Sequence, residues 1–421
     1  MISPARSVSL KLLSEIESRH VFSDDALNSE DMERLEIRDR HLTTQIVYGT
    51  LRWQGTLDYL LSEVSSMPWQ KVEPAARILL RMSVYQMWHM NRIPDHAIVN
   101  DAVELAKRGL GKGIDRYVNG ILRGFSRTRP WKNGEFLARA PSWVRASLPE
   151  WLWERWVSRF GEGVAAEFAT SLNNPPLTAI RMGEEGIESI VSPSDLVPGA
   201  GILTGAIPKL SGGLQWQDEA SQLIPHLMGP VSGWRLWDAC AAPGGKTAIL
   251  EALAGETGCV VASDLRHERA SRMAGLLKGH ARPLLLVADA SKPAPFRCRF
   301  DGVLADVPCS GLGTLRRNPE IRWHFRPDTL PLLQRTQQKI LESVSSTVRL
   351  GGRMLYSTCS TEPEENEEVV LAFLASHPEY CLVRPELPPG IERWTGHDGM
   401  VRTFPGTRLW DGFFAALMVH Q

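Results

Sequence analysis

Two cysteines stand where a nucleophile would be useful. Phe300-Asp301-Gly302-Val303-Leu304-Ala305-Asp306 has the character of a buried strand and runs on into Val307-Pro308-Cys309-Ser310-Gly311. Met354-Leu355-Tyr356-Ser357-Thr358-Cys359-Ser360, after a Gly351-Gly352 turn, is a second such run that ends in a thiol. A thiolate is the natural nucleophile for a soft, polarised carbon, and its fraction rises near positive charge and helix N-termini. The other four cysteines, Cys240, Cys259, Cys298 and Cys381, read as small apolar residues.

Acids and glycines supply the rest of the chemistry. Four successive strand-like runs end in Asp238, Asp264, Asp289 and Asp306, which suits a parallel sheet with a ligand across the carboxyl ends of its strands. Between the first run and an amphipathic helix lies Ala239-Cys240-Ala241-Ala242-Pro243-Gly244-Gly245-Lys246-Thr247, a turn that brings backbone close to a nucleotide-like cofactor. It lacks the upstream glycine of a phosphate-binding Walker loop and is not Gly-x-Gly-x-x-Gly, so an ordinary phosphate or dinucleotide loop is disfavoured. Asp264 is placed to bind ribose hydroxyls. The histidines, His324 and His397 among them, show no metal-ligand spacing, and no bound metal is expected.

The elements that must position these groups follow from the wider pattern. At 421 residues the chain is expected to hold two or three domains. From Ser7 to about Arg139 the apolar residues recur at helical steps, with breaks at Met67-Pro68, Ile93-Pro94 and the glycines from 109 to 113, which predicts an all-helical bundle. In Trp151-Leu152-Trp153-Glu154-Arg155-Trp156 helical spacing favours a core role for the tryptophans over base stacking. The acids of Glu362-Pro363-Glu364-Glu365-Asn366-Glu367-Glu368 are explained by the dipole of the helix they precede and are given no catalytic role.

Net charge is −1, but its distribution matters more than its sum. Residues 105–139 carry nine basic side chains against two acidic ones, a window suited to phosphates that includes Arg123, Arg127 and Arg129. Arg316, Arg317 and Arg322 lie in a second basic cluster just past Cys309, interleaved with aromatics able to stack on bases. No apolar run approaches a membrane span, no signal-peptide core follows Met1, and six cysteines without pairing spacing point to a reducing cytoplasm.

The loop at 238–247, the Asp306-Val307-Pro308-Cys309-Ser310-Gly311 motif and Ser357-Thr358-Cys359-Ser360, taken in that order, resemble the S-adenosylmethionine-dependent RNA cytosine-5 methyltransferases. Arg38-Asp39-Arg40, Val47-Tyr48-Gly49-Thr50-Leu51-Arg52-Trp53, Arg92-Ile93-Pro94-Asp95-His96-Ala97-Ile98-Val99-Asn100 and Val118-Asn119-Gly120-Ile121-Leu122-Arg123 are similar to the NusB-type RNA-binding domain. Fused in this order, the two resemble the bacterial small-subunit ribosomal RNA methyltransferases of the RsmB/Fmu/Sun type. The fold this implies is an α/β Rossmann-like core with a mostly parallel sheet, preceded by an all-α NusB-like domain. The expected boundaries are 1–140 for the helical domain, 141–225 for a linker and small RNA-binding subdomain, and 226–421 for the catalytic domain.

The resemblance implies that a cysteine thiolate adds to carbon-6 of cytosine and so makes carbon-5 nucleophilic enough to take a methyl group from a sulfonium. In the RNA branch the nucleophile is Cys359, and Cys309 assists release of the adduct. In the DNA enzymes the nucleophile follows the proline, which would make it Cys309; the presence of both thiols favours the RNA branch. Asp306 is expected to meet the cofactor or the cytosine amino group, Lys246 the cofactor or the base, and Asp289 the adenine amino group. The expected S-adenosylmethionine contacts are Ala239, Cys240, Ala241, Ala242, Pro243, Gly244, Gly245, Lys246, Asp264, Arg269, Asp289 and Asp306. The implied partner is small-subunit ribosomal RNA before or during assembly, bound by a monomer. A transfer RNA or other ribosomal RNA cytosine, or a non-catalytic RNA-binding factor, remain as alternatives. One departure is Arg181-Met182-Gly183, where the family has Arg-Val-Asn.

Overall fold

Helices with one apolar face need a shared core, and the first 175 residues supply one. The computed structural model describes residues 2–181, 190–205, 216–277, 283–406 and 410–421; Met182 and Gly183 of the departure above lie outside them. The chain divides into two compact units, Met1–Pro175 with Leu315–His324, and Pro176–Thr314 with Phe325–Gln421.

The first unit is helical throughout its described residues. Leu12, Leu13 and Ile16 pack with Ile46, Val47, Leu79, Leu80, Ile98 and Leu122 in one core, each at the helical spacing that the sequence shows. The helix Pro74–His89 starts with Glu73, whose carboxylate accepts from the Ala76 amide at 2.8 Å, and with proline at its first position. The next, Asp95–Gly109, begins directly after Pro94, and the chain turns into Ile114–Thr128 through Gly113 at φ +86°. Arg81 is buried inside the bundle, donating to Asp58 at 2.6 and 2.8 Å and to Glu17 at 2.8 Å. Trp153 and Trp156 are 7% and 1% exposed, the core role expected of them.

This unit extends beyond the expected boundary at residue 140. Ser142–Ala146, Glu150–Phe160 and Glu162–Leu172 are further helices of it, and Thr56 donates to the Val144 carbonyl at 2.6 Å. Leu315–His324 also belongs to it, because the polar groups of that segment find their partners there. Arg322 donates to the carbonyls of Arg52, Ser147 and Leu172 and to Asn173 Oδ1, all at 3.0–3.1 Å. Arg316 donates to the Ser171 carbonyl at 3.1 Å, and Glu320 accepts from the Ser23 amide and hydroxyl at 3.0 and 2.8 Å.

In the second unit eleven strands are described: β1 (Ala179–Arg181), β2 (Val191–Pro193), β3 (Ala200–Leu203), β4 (Arg235–Asp238), β5 (Cys259–Asp264), β6 (Leu284–Val287), β7 (Phe300–Asp306), β8 (Val348–Thr358), β9 (Tyr380–Val383), β10 (Val401–Arg402) and β11 (Phe414–His420). The first three form a small antiparallel sheet in the order β1-β3-β2. The others form one sheet in the order β10-β11-β8-β7-β4-β5-β6, with β9 on β11. Strands β4 to β8 pair in parallel and β9 to β11 antiparallel, a mostly parallel sheet with an antiparallel edge. The central strands read as continuous apolar runs because both faces are covered: Leu236, Leu304 and Leu355 face one core, and Trp237, Val303 and Met354 the other.

Candidate active site

Parallel pairing brings the two thiols together. Strands β7 and β8 are neighbours in register, with Asp306 opposite Ser357, so the residues just past each strand share one end of the sheet. Cys309 and Cys359 lie there with their sulfurs 3.0 Å apart, and the Cys359 amide donates to Cys309 Sγ at 3.2 Å. The hydrogen bond with Cys359 and then burial push the Cys309 thiol well up. In the resting protein Cys309 is therefore a thiol.

Beside the sulfurs, Lys246 donates to Asp306 Oδ2 at 2.7 Å and Ser357 donates to Asp306 Oδ1 at 2.7 Å. Burial opposes the charge on Lys246, but the Asp306 carboxylate outweighs it, so the ammonium titrates above its usual range. Its Nζ also sits 5.1 Å from the centre of the Phe413 ring.

A cleft of about 310 Å³ opens next to this pair, within the size range of small-molecule sites. Of the expected cofactor contacts it is lined by Cys240, Ala241, Ala242, Pro243, Gly245, Lys246 and Asp306. At Gly245 a Cβ would come within 2.8 Å of Gln217 Oε1, so any larger residue there would displace that side chain. Gly244, at φ +109°, closes the turn against Met273. Burial pushes the Cys240 thiol far up, which leaves it an inert wall of the cleft. Ala239 does not line the cleft: it is 1% exposed, packs in the sheet core and donates its amide to the Leu304 carbonyl at 2.9 Å.

Asp264 and Asp289 lie at the same carboxyl edge, at the end of β5 and just past β6. Asp264 accepts from the Arg266 amide at 3.1 Å. Arg269 donates to the Ala242 carbonyl at 2.9 Å and lies 3.7 Å from Asp264, so it ties the glycine turn to β5. The Ser291 hydroxyl and amide hold Asp289 below the usual carboxylate range.

Sequence reasoning left Trp216, Gln217, Ser221, Leu276 and Asp238 off the cofactor contacts, yet all five line the cleft. Gln217 heads the stretch Gln217 to Leu223, which resembles a motif of the same family and leads into the core. Asp238 is fully buried at the end of β4 and accepts from the Thr247 hydroxyl at 2.7 Å. Its other oxygen and Gln217 Oε1 are buried acceptors without a donor. Two orphaned acceptors in one cleft suit a ligand that brings a cation with N–H groups, as the α-ammonium of S-adenosylmethionine would.

The basic clusters part company. Arg123 and Arg127 are exposed on Ile114–Thr128, and Arg129 is half-exposed and paired with Asp95 at 2.7 Å. Arg316 and Arg322 are 1% and 0% exposed, so the expectation that they bind RNA is withdrawn: both guanidiniums are committed to protein carbonyls. Arg317 is half-buried.

Residues 225–419 match the family model described as 16S rRNA methyltransferase RsmB/F, and residues 3–127 match the NusB family. A protein of Bacillus subtilis named probable ribosomal RNA small subunit methyltransferase B is 34% identical over 98% of both chains. The chain belongs to the 16S rRNA methyltransferase RsmB/F family. The ribosomal RNA small subunit methyltransferase B of Thermus thermophilus is 36% identical, over 83% of this chain and 81% of its own. The solved structure of PH0851 aligns with 100% of this chain and 99% of its own at a TM-score of 0.81 and 27% identity. As an RsmB/F protein with an N-terminal NusB domain, the chain is an S-adenosylmethionine-dependent rRNA methyltransferase. No helix among its described residues is long and apolar enough to cross a membrane.

Proposed function

We propose that this methyltransferase modifies carbon-5 of one cytosine in 16S rRNA, by family resemblance cytosine 967, through a covalent adduct to Cys359. The observation that carries this reading is the pair of thiols 3.0 Å apart beside the Lys246–Asp306 pair and the cleft. One thiol alone would serve addition; two at contact distance serve addition and release.

S-adenosylmethionine supplies an electrophilic methyl on a sulfonium. It would be held by Ala241 to Gly245, with its ammonium at Asp238 and Gln217 and its ribose hydroxyls at Asp264. The base must be extruded from any stack before a thiol can reach it. Cys359 Sγ, as thiolate, bonds to carbon-6, and the electron pair moves to carbon-5. Asp306, hydrogen-bonded by Lys246 and Ser357, would hold the exocyclic amino group. Carbon-5 then bonds to the methyl as the methyl–sulfonium bond breaks and the neutral thioether leaves. The carbon-5 proton passes to solvent, its electron pair re-forms the carbon-5–carbon-6 double bond, and Cys359 Sγ departs as thiolate with the electron pair of its bond to carbon-6. Cys309, in contact with Cys359, assists that last stage.

The RNA is proposed to engage the exposed arginines of Ile114–Thr128, before or during subunit assembly, with a monomer acting in the cytoplasm. The role assignment is tested by incubating variants with S-adenosylmethionine and unmethylated 16S rRNA. Cys359→Ala should lose turnover without forming an adduct, and Cys309→Ala should accumulate a covalent protein–RNA species on a denaturing gel. An adduct in Cys359→Ala would reverse the roles.

A further inference from the structure

We propose that Glu365 is a positioning residue that clamps the loops of Cys309 and Cys359 together. This rests on the two-thiol reading above and goes beyond it to what sets the distance between the sulfurs. Glu365 ends the short 3-10 turn Pro363–Glu365 and is 0% exposed. Its Oε1 accepts from the Ser310 amide at 2.8 Å and from Gln337 Nε2 at 2.9 Å, and its Oε2 accepts from the hydroxyls of Ser310 and Ser360, both at 2.5 Å. Ser310 and Ser360 are the residues immediately after the two cysteines, and their hydroxyls lie 3.1 Å from each other. One carboxylate therefore grips both loops one residue from each sulfur.

The surroundings reinforce the grip. Gln337 also donates to the Pro308 carbonyl at 3.0 Å, and the Tyr356 hydroxyl donates to the Glu365 carbonyl at 2.6 Å. Asn366 accepts from the Thr358 hydroxyl at 2.5 Å and donates to the Ser360 carbonyl at 3.0 Å, which fixes the loop on the other side of Cys359. Glu365 acts as acceptor in all four of its side-chain bonds, the pattern of a carboxylate, and a carboxylate has the lone pairs to hold both loops at once. Glu367 and Glu368, in the first turn of Glu367–Ser376, are the acids placed for the helix dipole. Glu365 does something else.

The test uses disulfide formation as a ruler, on the full chain without RNA or cofactor. Diamide accepts the two electrons and two protons that the thiols of Cys309 and Cys359 give up, and mass spectrometry follows the cross-linked peptide. Glu365→Ala should slow that cross-link by about 10²-fold, the penalty typical of displacing reacting atoms by an ångström. Glu365→Gln keeps an acceptor for the Ser310 amide and should stay within about threefold of wild type, because the serine hydroxyls can turn to accept from its amide. On the same variants, methyl transfer should lose kcat in Glu365→Ala and leave the KM for S-adenosylmethionine unchanged. Equal cross-linking rates in all three proteins would overturn the clamp. A parallel fall in rate and melting temperature without rescue by glutamine would overturn it too, as general loosening. Because the ruler needs no methylation, the clamp and the proposed reaction can fail separately.

Discussion

Replacing Asp238 with asparagine should stabilise the protein above neutral pH and remove a pH dependence that the wild type shows on the acid side of it. Burial at the end of β4 lifts this carboxyl to about 7, against 3.8 for a solvated one, while the Thr247 hydroxyl pulls the other way. The folded protein thus keeps a proton that the unfolded chain has lost. The favourable contribution of that proton is complete below 3.8, declines as pH rises and is gone above about 7. At about 1.4 kcal/mol per pH unit, the wild type carries a burden of roughly 4 kcal/mol at about pH 8 compared with strongly acid solution. Asparagine retains an acceptor for Thr247 and cannot ionise, but its amide nitrogen lacks an acceptor, which returns about 1–3 kcal/mol of the gain. Urea denaturation of both proteins from about pH 5 to about pH 9 measures this directly, since other titrations cancel in the difference. The stability of the variant minus that of the wild type should grow by roughly 2–3 kcal/mol between about pH 5 and about pH 8 and then level off. The cleft-lining carboxylate should also tighten S-adenosylmethionine binding as pH rises through 7 in the wild type and not in the variant. A stability difference that does not change with pH would refute the reasoning.

Gly245→Ala puts a Cβ 2.8 Å from Gln217 Oε1, so cofactor affinity measured by calorimetry should fall by about tenfold or more while the fold persists; unchanged affinity would show that Gln217 moves away freely. Arg322→Met leaves the carbonyls of Arg52, Ser147 and Leu172 without their donor, and denaturation should report a loss of about 3–5 kcal/mol. A fully stable variant would mean that relief of the crowded charges of Arg52 and Arg316 offsets the lost bonds. Neutralising Arg123, Arg127 and Arg129 should weaken 16S rRNA binding and shallow its salt dependence without touching cofactor affinity; an unaltered salt slope in filter binding would make this face a merely solvated one.

What the sequence made legible is what local pattern controls. The four acids at the ends of apolar runs became the ends of β4, β5 and β7 and the second residue past β6, because a parallel sheet buries its strands and leaves their carboxyl ends polar. The glycine turn and the order of the two cysteine motifs were readable for the same reason. Arg316 and Arg322 were misread because composition says that a cluster is basic but not where its acceptors are. Those of Arg322 are contributed by residues 52, 147 and 172, which only the folded chain brings near. Glu365 was passed over by the same blindness: its neighbours in sequence explain it as a helix-start acid, whereas Ser310 is 55 residues away. Past residue 140 the helices that follow a linker-like Pro141-Ser142 belong to the same compact unit as the bundle, which local pattern does not show.

Transfer of labelled methyl from S-adenosylmethionine to unmethylated 16S rRNA by the purified full chain, with the modified nucleotide mapped by bisulfite sequencing, tests the proposed reaction most directly. Label confined to carbon-5 of a single cytosine, and absent with Cys359→Ala, is the predicted result. Label on another atom or another RNA, or full turnover by Cys359→Ala, would contradict it.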